Sequence, residues 1–123
     1  MAWKNPNSPE HRQYMTDWRK KNRSKTRGYN KTRRVNLKVT ALTHYGPVGV
    51  MKCSWTGCEV DDPDMLSLDH VNNDGADDRK VRGRRGSGYQ LYFELKKENF
   101  PAGYQTLCYN HQAKKELVRR REA

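Results

Sequence analysis

The sequence predicts a small α+β domain stapled by a metal ion and preceded by a basic helical extension. Three observations carry this. Only 33% of the 123 residues are hydrophobic and the mean hydropathy is −1.21. So little apolar material closes only a small core, and small cores usually need a metal or disulfides to help. The excess of positive charge belongs to one segment. Through Tyr45 there are 12 basic and 2 acidic residues, a net of +10, while from Gly46 onward 13 basic residues meet 12 acidic ones, a net of +1. Finally, Cys53 and Cys58 form a C-x4-C pair and Cys108 and His111 a C-x2-H pair about fifty residues later. Three cysteines cannot pair completely, so a disulfide framework is disfavoured and the thiols are left to hold metal.

The extension comes first. Ser8-Pro9-Glu10 reads as an N-cap, a proline at the first helical position and an early acid, which starts a helix. Tyr14 and Trp18 share a face of it. The stretch NRSKTRGYN, with Gly28, is expected to weaken or interrupt the helix before a second one from about Lys31 to Tyr45. There Val35, Val39 and Leu42 repeat at helical spacing and should dock on the domain behind. A localised positive field of this size suits a polyanion, whose affinity grows by counterion release. Near-exclusion of acids over 45 residues argues against a merely solvated helix. The aromatics are too scattered to make a membrane-binding face.

GPVG at Gly46 to Gly49 breaks the chain, which divides it into an extension, 1–45, and a domain, 46–123. VMKCSW, MLSLDH and YQTL have strand character, TGCEVDDPD is a turn, and the polar run from Val71 to Gly88 reads as a long loop. Tyr89 to Lys97 and Asn110 to Glu122 read as helices, and His11 and His44 as surface or packing residues. No window of the chain is apolar enough to span a membrane, and MAWKNPNSPEHRQ has no signal-peptide core, so a cytoplasmic location is expected. No obligate protein partner is evident.

Two far-separated pairs of soft ligands suit one tetrahedral structural zinc, which would tie distant segments together. A second constellation is Leu66-Ser67-Leu68-Asp69-His70, a strand whose alternation turns Leu66, Leu68 and His70 to one face and Ser67 and Asp69 to the other. A histidine and a carboxylate at one strand end supply a proton acceptor and a ligand for a hard cation, the two needs of phosphodiester hydrolysis.

The order HYG…KC…C…LDHVNNDG…GYQTLCYNHQAKK resembles the HNH endonuclease family in its phage and intron-encoded branch, over roughly Leu42 to Lys115. That resemblance implies a ββα-metal finger and a nuclease that cuts or nicks double-stranded DNA. It implies His70 as general base and Asp69 as ligand of a catalytic magnesium or manganese ion, with a host-cell location if the gene is a phage's. The chain departs from the family at the middle asparagine, whose place falls near Gly103; Asn72 and Asn73 are substitutes by proximity. It departs again at the last ligand. Aligned without gaps, His111 completes the zinc set of Cys53, Cys58 and Cys108, and Gln112 falls on the catalytic-cation position. With one residue deleted, His111 is the cation ligand and zinc keeps three cysteines. The gapless alignment is preferred because it fills the tetrahedron.

The residues expected to contact DNA are Arg12, Arg19, Lys20, Lys21, Arg23, Lys25, Arg27, Arg33 and Arg34 in the extension, and Arg79, Lys80, Arg82, Arg84 and Arg85 after the Asp-His strand. Two rivals stand beside the nuclease. One is a zinc-stabilised nucleic-acid-binding module without catalysis, and the other is a protein that binds or cleaves RNA.

Overall fold

The computed structural model describes residues 5–86 and 88–122, with the Arg85 side chain outside the description. The protein is a small α+β chain whose described residues contain five α-helices and one two-stranded antiparallel sheet. It divides into two units, one up to Arg33 and one from Arg34.

In the first unit, helix α1 (Pro9–Lys21) starts as the capping signal requires: the Ser8 side chain accepts from His11 N–H at 3.2 Å and Pro9 occupies the first turn. It buries no residue. It ends at Asn22, whose backbone N–H and side-chain Nδ2 both reach Trp18 O, at 2.9 and 2.8 Å. The expected interruption falls at Asn22, the first residue of NRSKTRGYN, and helix α2 (Arg23–His44) then runs unbroken through Gly28. A lone glycine costs about 1 kcal/mol relative to alanine in a helix. That is too little to break 22 residues whose C-terminal half is anchored in a core.

The C-terminal half of α2, from Arg34, belongs to the second unit. The buried residues of α2 are Leu37, Ala41 and Leu42, while Val35 is half exposed. The expected stripe of Val35, Val39 and Leu42 is therefore displaced: Leu37 and Ala41, four apart, share the buried face with Leu42. The chain leaves α2 through Gly46, where a Cβ would lie 1.7 Å from Val50 O. Only glycine permits so close a backbone return.

Strand β1 (Leu66–His70) pairs with β2 (Tyr104–Cys108) in the register Leu66↔Cys108, Ser67↔Leu107, Leu68↔Thr106, Asp69↔Gln105 and His70↔Tyr104. The VMKCSW segment is not a strand. Ser54 N–H donates to Thr106 O at 2.8 Å, but the chain then turns at Trp55–Cys58 to form the cysteine loop. Between the strands lie α3 (Gly75–Arg82), a 3-10 turn at Gly83–Gly86 and α4 (Gly88–Lys97). The expected long loop is thus mostly helical. Asp77 and Asp78 in the first turn of α3, and Arg79, Lys80 and Arg82 in its last, complement the helix dipole. Gly83, at φ 62°, ends it. No apolar stripe announces this helix, because polar contacts hold its inner face. Helix α5 (Tyr109–Glu122) follows β2 without a loop.

The core joins Leu42, Leu66 and Leu107 to Cys53 and Cys108, with Met51, Trp55, Cys58, Val60 and Leu68 packed around them. Thr106 is fully buried and its hydroxyl donates to Leu42 O at 2.8 Å, which ties α2 to the sheet. The metal-type side chains are therefore part of the core itself. No helix among the described residues is long and apolar enough to cross a membrane.

Candidate metal centre and catalytic cleft

The register that buries Leu66 opposite Cys108 brings the end of β2 against the cysteine loop. Cys53, Cys58, Cys108 and His111 present ligand atoms that all lie within 4.8 Å of one another. The Cys53 and Cys108 sulfurs are 3.6 and 3.2 Å from His111 Nδ1, and the Cys58 and Cys108 sulfurs are 4.0 Å apart. A tetrahedral zinc with bonds of about 2.3 Å to sulfur and 2.0–2.1 Å to nitrogen spaces its ligands about 3.6–3.8 Å apart. The cluster could therefore bind a metal such as zinc once its widest separations close by up to about 1 Å.

Its surroundings act in opposite directions on two of the thiols. Cys53 is buried, which pushes its thiol up, whereas a backbone hydrogen bond from Val60 lowers that of Cys58. Trp55 stacks on the His111 ring at 4.8 Å and 9°, holding the imidazole with Nδ1 toward the sulfurs. Of the two placements open for His111, the structure brings it to the cysteines.

The Asp-His strand end lies on the rim of a separate cleft of about 450 Å³, whose lining includes Ser67, Asp69, His70, Arg79, Tyr92 and Gln112. Alternation along β1 is as the sequence predicts. Ser67 and Asp69 face α5, where Gln112 Nε2 donates to Ser67 Oγ and, at 3.2 Å, to Leu107 O. Asp69 Oδ2 accepts from Lys115 Nζ at 2.6 Å and from its cross-strand neighbour Gln105 at 2.9 Å. Lys115 also donates to His70 O at 2.7 Å, so it clamps the strand end from beneath.

His70, on the other face, meets α3. Its Nε2 lies 3.0 Å from Asp78 Oδ2, and its ring leans on Tyr104 at 4.9 Å between centroids. The same carboxylate accepts from Tyr104 Oη at 2.7 Å and Arg82 Nε at 2.9 Å. Burial opposes the charge on Asp78, but hydrogen bonds to His70, Tyr104 and Arg82 draw its carboxyl down to about 2. Burial and the bond to Asp78 push the Tyr104 phenol up to about 12. The Nδ1 side of the ring faces Gly75: a Cβ there would lie 3.1 Å from His70 Nδ1 and 3.6 Å from Arg79 Nη1. The loop leaving β1 turns with Asn73 N–H on His70 O at 3.1 Å, and Val71 N–H donates to Gly103 O at 3.0 Å. The Gly103 carbonyl thus ties down the loop that leaves β1, while Asn72 and Asn73 are exposed.

The basic residues separate into groups. Arg12, Arg19, Lys20 and Lys21 on α1, and Arg23, Lys25, Arg27 and Arg33 on α2, are exposed. Arg34 is exposed too, its guanidinium 5.2 Å from the centroid of the Tyr89 ring. Arg79 lines the cleft, and Lys80 and Arg84 are exposed. Arg82 departs from the expectation. Its fork holds Glu98 at 2.5 and 3.0 Å and its Nε holds Asp78, so ion pairs within the domain occupy it and raise its pKa further. The expected contact by Arg85 lies outside the described side chains.

Sequence reasoning missed Asp78, Lys115 and Tyr104. Lys115 carried a signal, since it stands three residues after Gln112 on the same helix face. Tyr104 follows from the register alone, and Asp78 had no signal in a stretch read as loop. Comparison of the chain with family models, with curated proteins and with solved structures found no match.

Proposed function

We propose that this protein is an endonuclease of the HNH type that nicks or cuts double-stranded DNA with a divalent cation, its finger held together by zinc at Cys53, Cys58, Cys108 and His111. One observation carries the reading. The end of β1 offers Asp69 and His70 to a cleft whose other wall is the first turn of α5, with Gln112, and that turn grows directly out of the Cys3His cluster.

The donor set suits a hard cation that retains waters and takes its remaining ligands from a phosphate. Lys115 and Gln105 both engage Oδ2 of Asp69, which leaves Oδ1, together with the Gln112 amide oxygen, as protein ligands. Bound magnesium or manganese would supply neutralisation of the charge that develops on the phosphate and the leaving oxygen. The rest is the work of the chain. His70 accepts the proton of the attacking water, Arg79 steadies a phosphate over the cleft, and the exposed bases of α1 and α2 give sequence-independent affinity. Lys115 keeps the strand end from moving as these groups act.

The test is conversion of supercoiled plasmid to nicked or linear DNA with magnesium or manganese, blocked by a chelator, with structured RNA as competitor. General-base catalysis contributes about 10²–10⁴-fold, so His70→Ala should lose about 99% or more of the activity and keep DNA binding. A second reading, a zinc-stapled nucleic-acid-binding module without catalysis, has one specific support: an ammonium already satisfies the Asp69 carboxylate. Tight DNA binding with no cleavage under any divalent cation would establish it, and RNA displacing DNA would point to an RNA target.

A further inference from the structure

A histidine that takes a proton from water must do so with the ring nitrogen that carries no hydrogen, and the partner of the other nitrogen decides which one that is. For His70 that partner is a side chain from a different element. Asp78 Oδ2 lies 3.0 Å from Nε2, and the carboxylate also receives Tyr104 Oη–H and Arg82 Nε–H. Arg82 is itself fixed by its two-pronged bond to Glu98, so groups from α3, β2 and the end of α4 together hold Asp78 in place. An ionised carboxylate only accepts hydrogen bonds. The Nε2 must then bear the hydrogen and Nδ1 the lone pair. Nδ1 is the nitrogen facing Gly75, where no Cβ intrudes and the Arg79 guanidinium approaches the same point. A side chain at residue 75 would crowd that nitrogen, and glycine keeps it clear.

Resting on the nuclease reading, we infer that Asp78 is the positioning residue of the site: it fixes His70 in the Nε2–H tautomer, so that Nδ1 is the atom that takes the proton from water. Asp78 touches no reacting atom. Its effect should appear in turnover and ring protonation, not in DNA affinity.

The test uses the full chain with 15N-labelled histidine, and NMR of the neutral imidazoles. The 4 histidines are told apart by the signal that disappears in His70→Gln. The expected wild-type result is a His70 ring with its proton on Nε2. Asp78→Asn, whose amide can donate as well as accept, should mix the tautomers and lower the single-turnover rate at saturating protein by about 10²-fold or more, the direction seen when a triad carboxylate is made an amide. KM for DNA should stay within about twofold, since phosphate contacts set it. Tyr104→Phe, which keeps the carboxylate, should preserve the tautomer. A wild-type His70 protonated on Nδ1 overturns the inference even if the chain is an active nuclease, and needs no variant to be folded. An unchanged tautomer and rate in Asp78→Asn overturns it equally. A chain that cuts nothing, with Nε2 protonated as expected, refutes the nuclease reading and with it the catalytic purpose of Asp78.

Discussion

Removing metal from the Cys53–Cys58–Cys108–His111 cluster should unfold the second unit, and the structure sets the scale of the effect. The fully buried leucines are Leu42, Leu66, Leu95 and Leu107. At about 1.5–3 kcal/mol each, they contribute roughly 6–12 kcal/mol of apolar burial. A structural zinc contributes about 10–16 kcal/mol at neutral pH. A bound metal would therefore contribute as much as all four leucines or more, and its loss is of the same size as the 5–15 kcal/mol or so by which whole domains are stable. The two are also inseparable in space, because Cys53 and Cys108 belong to the same packed cluster as Leu42, Leu66 and Leu107. Purified protein should carry close to one tightly held zinc, measured by elemental analysis. A strong chelator should collapse the cooperative melt followed by circular dichroism and make all three thiols react with a thiol reagent. Cys108→Ser should mimic the chelator. Metal-free protein with an unchanged melting temperature, or thiols that react at the same rate with and without chelator, would refute the reasoning.

Gly75→Ala should separate stability from activity. Alanine favours the helix by up to about 1 kcal/mol, but its Cβ would sit 3.1 Å from His70 Nδ1 and displace the ring slightly. Cleavage should fall about 3- to 10-fold, on the scale by which a misplacement of about 1 Å costs about 10²-fold, while the melting temperature holds or rises; full activity would remove Nδ1 from the reaction. Thr106→Val leaves Leu42 O without its hydroxyl donor and should cost about 1–2 kcal/mol, read as a drop in melting temperature with zinc content unchanged. Deleting the first thirty residues removes exposed bases of α1 and α2 but leaves the second unit intact from Arg34. DNA affinity should fall and its salt dependence flatten by about one unit of slope for each phosphate that is no longer neutralised, with single-turnover cleavage preserved. An unchanged slope would assign the grip to Arg79 or to α5 instead.

What the sequence determined by itself was whatever depends on near neighbours and on residue chemistry. Ser8-Pro9 had to start a helix because capping is a matter of a few adjacent residues, and the strand at Leu66–His70 had to split Asp69 from His70 because side chains alternate along any strand. The two cysteine-type pairs could be matched to one metal because soft ligands that distant in sequence have few other uses. The tertiary structure decided what depends on which surfaces meet. Gly28 stayed helical because the far end of α2 is buried, and α3 formed from a polar run because Asp78 and Arg82 found partners on β1, β2 and the end of α4. No local pattern encodes those partners. Asp78 and Tyr104 lie eight and thirty-four residues beyond His70, and only the pairing of β1 with β2 and the return of α3 across their end bring the three side chains together. The same holds for Lys115 and Asp69. Charge could be counted along the chain, but whether an arginine is open to a phosphate or, like Arg82, bound within the domain is settled by packing alone.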